Sequence, residues 1–149
     1  SALENGRPTD ELQLPLVAAF LQNWSGSAAP RIAVSRTIYP AADRATALAE
    51  LRAGVLRNVE NLVAQGQLPA GLSLEQYCRR LNIVYGHPDE VAAALQADRI
   101  LPHATDLIFQ FSPALPTVDT AQRMLEQIAT QIAPQLGWRP ATETVTPSA

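Results

Sequence analysis

The stretch Tyr85-Gly-His-Pro-Asp-Glu-Val-Ala-Ala-Ala-Leu95 is followed, after a loop, by Ala104-Thr-Asp-Leu-Ile-Phe-Gln-Phe111 and a long amphipathic segment ending near Leu136. Gly86 stops what precedes it, and Pro88 sits where a helix begins, since its missing N–H has no partner there to lose. Asp89 and Glu90 place negative charge at the positive end of the helix dipole. Asp106 to Phe111 is apolar and β-rich at its centre, which predicts a buried strand. Thr117 is a good N-cap for a last helix, whose residues Ala121, Met124, Leu125, Ile128, Ile132 and Leu136 fall on one stripe. Helix, strand, helix in this order predicts a parallel sheet with helices packed on it.

Upstream, Arg31 to Ile38 predicts a second strand, with Ile32, Val34 and Ile38 alternating with Ala33, Ser35 and Thr37 so that both faces can be buried. A long helix is expected from about Asp43 to Ala64, with Leu48, Leu51, Val55, Val59, Leu62 and Val63 on its inner stripe. Gly54 within it costs about 1 kcal/mol relative to alanine and points to a close helix crossing. Gly66 is a fitting stop. Ser73, with Gln76 three residues on, opens a short helix from Leu74 to Leu81 through a capping box. Asn82 to Tyr85 is expected to be extended. Residues 1–10 are polar and turn-like. A first helix runs from Leu12 or Pro15 to Trp24, with Leu16, Val17, Phe20, Leu21 and Trp24 sharing a face. The Thr-, Pro- and Ser-rich end, residues 139–149, is expected to be a flexible tail.

This pattern predicts an α/β fold with two clear parallel strands and about five helices. Two strands alone do not make a stable sheet. The chain is therefore expected to associate, as a homodimer or with a partner chain, or to be one portion of a longer protein.

A chain of 149 residues, 47% apolar and 17% charged, has the composition of a globular domain rather than a disordered one. A net charge of −3 without any basic run argues against nucleic acid and anionic membranes as partners. Glu4, Asn5 and Arg7 interrupt the opening, so no signal peptide is expected there. No apolar run is long enough to span a bilayer. The single cysteine, Cys78, excludes an internal disulfide and fits a reducing, cytoplasmic setting.

The segment Gly86-His-Pro-Asp-Glu-Val91 resembles the Gly-Ser/Thr-Pro-Glu-x-Val element of the bacterial luciferase-like, flavin-dependent monooxygenases. In that family a strand similar to Leu107-Ile-Phe-Gln-Phe111 follows, then a closing helix similar to Met124–Leu136 with a proline near its end, like Pro134. Gly6-Arg-Pro and Leu14-Pro-Leu-Val-Ala-Ala-Phe-Leu-Gln-Asn-Trp24 resemble the segment after the sixth barrel strand. Pro30-Arg-Ile-Ala-Val-Ser-Arg36, with its alanine-rich helix, resembles the next βα unit. The resemblance covers residues 3–138. It implies the C-terminal βα units of a TIM-type (β/α) barrel, with an insertion before the last strand. It also implies a reduced flavin, FMN or a deazaflavin, and monooxygenation of a small organic substrate, although the chain alone is expected to be inactive because earlier strands supply most flavin contacts. A barrel-derived module that only self-associates is the alternative.

In a (β/α) barrel, chemistry sits at the C-terminal ends of the strands. Here those ends are Arg36–Tyr39 and Gln110–Ser112. Arg36 could meet a flavin or an anionic substrate, and Tyr39 and Gln110 could hydrogen-bond its ring. Equally, Arg36 could be a salt-bridged structural residue and Tyr39 a cap on the core. No Gly-x-Ser-x-Gly elbow supports a nucleophile triad. His87 and His103 lack metal-ligand spacing, so no metal is expected. His87 reads as an N-cap, and the acidic first turn after it disfavours a bound anion. Cys78 reads as a buried residue rather than a reactive thiol, although Arg79 and Arg80 beside it could lower its pKa.

Overall fold

The structure, a computed structural model, describes residues 6–139. Among the described residues, five α-helices and a three-stranded, all-parallel sheet form an α/β fold. In chain order these are α1 (Thr9–Asn23), β1 (Ala33–Pro40), α2 (Arg44–Ala64), α3 (Leu74–Arg80), β2 (Ile83–Gly86), α4 (Pro88–Gln96), β3 (Asp106–Gln110) and α5 (Val118–Gln127). The tail expected over 139–149 lies, beyond Arg139, outside the described residues.

The sheet has three strands rather than two, in the order β2-β1-β3. The segment expected only to be extended is a strand, because Ile83–Gly86 pairs with Thr37–Pro40 of β1. This pairing also carries β1 two residues further than its hydrophobic pattern predicts. At its start β1 is shorter than expected, since Ile32 bonds through its N–H to the Thr105 hydroxyl rather than in the ladder. On the other side, Ala33–Thr37 of β1 pairs with Asp106–Gln110 of β3. The two neighbours thus grip different halves of β1.

Each face of the sheet has its own core. Tyr39, Ile83 and Tyr85 pack with Leu51, Val55 and Val59 of α2, Tyr77 and Cys78 of α3, and Met124. On the opposite face Ile38 packs with Val91, Ala92 and Leu95 of α4 and with Ile132. Met124 and Ile132 belong to one C-terminal segment, which therefore joins both cores at the sheet's end. It is not the continuous helix its stripe predicts. After Gln127 the chain passes through a π-helical turn, Ile128–Ile132, and a 3-10 turn, Ala133–Leu136. Pro134 explains the change, since its ring crowds the Thr130 carbonyl and it has no N–H to donate. Leu125, expected inside, is exposed.

The caps follow the sequence. Asp43 accepts from the Thr46 N–H at 2.7 Å and starts α2. Ser73 and Gln76 form the full capping box on α3. At α4, the His87 N–H donates to Glu90 Oε2 at 2.9 Å. Gly86, at φ +136°, lies directly under that carboxylate, and any Cβ there would collide with it. Glu90 thus occupies the electropositive end of α4 itself.

Helix α1 departs most from expectation. It starts at Thr9, with Asp10 and Glu11 in its first turn, and carries Pro15 inside. None of its residues is buried, and Leu16 is 70% exposed. Its expected inner face has no layer beneath it. Its N-terminal end is held by the Arg99–Asp10 ion pair at 2.8 Å.

Candidate functional site

The carboxyl end of β1 places Tyr39 beneath the loop that leaves β3. A crevice of about 200 Å³ opens there, walled by Tyr39, Glu50, Leu115, Thr117 and Thr120. Three elements build it: β1 delivers Tyr39, α2 delivers Glu50, and the first turns of α5 deliver both threonines. The Thr117 hydroxyl caps α5 by accepting from the Thr120 N–H at 3.2 Å. Arg123, one turn further along α5, forks onto Glu50 with bonds of 2.8 and 3.3 Å to its two carboxylate oxygens. The Glu50 carboxylate lies beside the Tyr39 hydroxyl, which gives a chain Tyr39–Glu50–Arg123.

The electrostatics follow from that chain. The Arg123 guanidinium holds Glu50 below the usual carboxylate range, against the opposing effect of partial burial. Tyr39 is 2% exposed, and its phenol is pushed up to about 12, first by burial and then by the Glu50 charge. Near neutrality, then, Tyr39 stays protonated and Glu50 ionised. The array can donate and orient hydrogen bonds, but it holds no group poised to exchange a proton at that pH.

The Glu50–Arg123 pair makes stability depend on pH. Because Glu50's carboxyl is lowered in the folded state, the pair's contribution is complete above the ordinary carboxylate pKa and is lost as pH falls through the lowered folded value. Both side chains are partly exposed, at 30% and 39%, so solvent screening limits the pair to about 0.5–1 kcal/mol. Arg123→Gln is expected to lower stability by about that amount at pH 7. The gap to the parent protein should narrow as pH falls through the lowered Glu50 pKa. Urea unfolding over a series of acidic pH values checks this, and a gap that does not narrow on acidification would exclude the charge pairing as its cause.

The three residues expected at the strand ends are not brought together. Side chains alternate across a strand, so Arg36 projects to the α4 face while Tyr39 lies on the other. There Arg36 is buried, its Nε donating to Asp98 Oδ2 at 2.5 Å and its Nη1 to the Ser35 carbonyl at 2.7 Å. Gln110 is on the Tyr39 side but exposed, and its amide donates to the Ser35 hydroxyl at 2.7 Å. Ala33, Ser35, Ile108 and Gln110 are all exposed, so the amino-terminal half of this sheet face stands uncovered.

Glu50 and Arg123 were not legible as site residues. Each sits next to a buried stripe residue, Leu51 and Met124, but they are 73 positions apart. Nothing local marks them as partners. Cys78 is fully buried, and burial pushes its thiol up to about 11, so the neighbouring arginines do not activate it. His87 caps α4 and His103 lies in the turn before β3. Among the described residues no group of three or more His, Cys, Asp or Glu could hold a metal. No helix there is long and apolar enough to cross a membrane.

No protein-family model matches this chain, and none of the curated proteins does.

Proposed function

We propose that this chain is the C-terminal portion of a luciferase-like (β/α) barrel which, once completed, takes part in reduced-flavin-dependent monooxygenation of a small organic substrate in the cytoplasm. The uncovered sheet face carries this reading. β1 and β3 are direct parallel neighbours with their carboxyl ends together, as the last two strands of a barrel would be. The amino-terminal half of the Tyr39 face, which bears Ala33, Ser35, Ile108 and Gln110, is open to further strands. Helices α2 and α3 pack on its carboxyl half, so barrel closure would bury the open half and require those helices to move to the outer face. β2 borders only Thr37–Pro40 of β1. The amino-terminal half of that edge remains available to a preceding strand.

The residues present do not by themselves fit a flavin. The crevice, at about 200 Å³, falls below the roughly 300–1,000 Å³ of small-molecule pockets. The Tyr39 phenol lies beside the Glu50 charge, and Gln110 is engaged with Ser35. Arg36 faces away. The flavin pocket, for FMN or a deazaflavin, would come mainly from strands outside this chain, and no catalytic step is assigned to these residues. Tyr39 and Gln110 remain the ones on the appropriate face.

A second reading, a non-catalytic self-association module, draws on α1. That helix buries no residue, and Leu12 to Trp24 carries no charge that would repel another copy. One experiment separates the two. The chain is titrated calorimetrically with reduced and oxidised FMN, and its mass in solution is measured on the same sample. Saturable binding near one flavin per assembled unit is expected if association rebuilds a pocket. A defined dimer that binds no flavin up to millimolar concentration would sink the enzymatic reading and leave the association module.

A further inference from the structure

We propose that the outer edge of β3 pairs with β3 of a second copy, so that two sheets join across a two-fold axis at Ile108. This contact rests on the self-association reading and gives that association its surface. The Asp106 N–H bonds to the Ile32 carbonyl at 3.2 Å, and Asp106–Gln110 runs in parallel register with Ala33–Thr37. Residues along such a strand turn their backbone groups alternately to one side and the other. Asp106, Ile108 and Gln110 therefore face β1, while Leu107 and Phe109 turn their N–H and C=O outwards. Among the described residues nothing bonds to those four groups. A depression of about 580 Å³ beside the start of β3, walled by Arg31, Asp106, Leu107, Ile108 and Trp138, leaves that side open.

The other open edges of the sheet are stopped by arginines. On the outer edge of β2 the Tyr85 carbonyl accepts from Arg44 Nη1 at 3.4 Å. On the free half of β1 the Ser35 carbonyl accepts from Arg36 Nη1 at 2.7 Å. A charged side chain seated on an edge carbonyl takes the place of an incoming strand. Among the described residues β3 has no such guard, and an unguarded edge is a template for another chain.

The residues of β3 suit their own image. Antiparallel pairing sets the outward residues of the two strands opposite each other. Centring it on Ile108 places Leu107 against the partner's Phe109, and Phe109 against the partner's Leu107. All four outward groups of each copy are then bonded. A shift of two residues would leave one of those pairs empty. Ile108, 54% exposed, meets the partner's Ile108 at a non-hydrogen-bonded position, where side chains come closest. On the same face Asp106 lies opposite the partner's Gln110, whose amide keeps one N–H beyond its bond to Ser35. A carboxylate acceptor thus faces an amide donor at both ends, and no like charges oppose each other. Such self-complementarity selects a second copy as the occupant, through an isologous interface.

The test uses the full chain. Sedimentation equilibrium gives its mass, and hydrogen exchange by NMR follows the Leu107 and Phe109 amides. A dimer is expected, with both amides protected at high concentration and exchanging faster on dilution. Ile108→Lys sets two like charges opposite each other and is expected to weaken dimerisation about tenfold. Ile108→Glu should do the same. An equimolar mixture of the two variants should pair more tightly than either alone, because opposite charges then meet. Leu16→Lys, at an exposed position of α1, should leave the dimer intact. A monomer at millimolar concentration would sink self-association and this contact with it. A dimer that Leu16→Lys dissolves, or whose Leu107 and Phe109 amides stay unprotected, or whose mixed variants pair no better than either alone, would overturn the β3 contact and leave association elsewhere.

Discussion

Asp98→Ala is expected to destabilise the fold by about 3–5 kcal/mol, a large share of the roughly 5–15 kcal/mol that holds a domain together. The Asp98 side chain is 13% exposed and that of Arg36 is 4% exposed. Removing the carboxylate leaves a largely buried guanidinium without its charge partner. It also frees the Ile100 N–H, which Asp98 accepts at the turn after α4. Two companions sharpen the result. Asp98→Asn keeps an acceptor without the charge and should lose less. Arg36→Leu combined with Asp98→Ala should be more stable than Asp98→Ala alone, because no buried charge is then left unpaired. Because the pair is shielded, the loss should change little between low and high salt. Urea unfolding measures all three variants. A loss below about 1 kcal/mol for Asp98→Ala would mean the pair behaves as a surface one.

Gly54→Ala is expected to destabilise by about 1–2 kcal/mol, although alanine is by itself about 1 kcal/mol the better helix former. A Cβ at this position would stand 2.6 Å from the Pro113 carbonyl oxygen and 2.7 Å from Ala114 Cα. Both are backbone atoms, so no side-chain rotation relieves the contact. Either α2 or the loop after β3 must move, and that loop forms part of the Tyr39 crevice. The same variant should therefore perturb the amides of residues 114–117 by NMR. Equal or greater stability in Gly54→Ala would show that the loop yields freely. The close approach foreseen at Gly54 is real, but its partner is a loop rather than a crossing helix.

Local chemistry made much of this fold legible. Asp43, Ser73, His87 and Thr117 start helices because each offers an acceptor to free N–H groups within the first turn, a matter of a few neighbouring residues. The apolar core of β1 and β3 followed from short runs of branched and aromatic side chains. What the sequence determined by itself is thus the α/β class, the helix starts and the stripe through Leu51, Val55 and Val59. Only the tertiary structure decided that Ile83–Gly86 is a strand, because four residues carry too little pattern and their place is set by the backbone of Tyr39 and Pro40. Tertiary contact also decided that Arg36 turns to Asp98 and away from Tyr39. It joined Glu50 to Arg123, and it left α1 without a layer beneath its apolar side chains. Each of these depends on which distant segments share a face of the sheet, and pairing across such distances leaves no mark on the residues nearby.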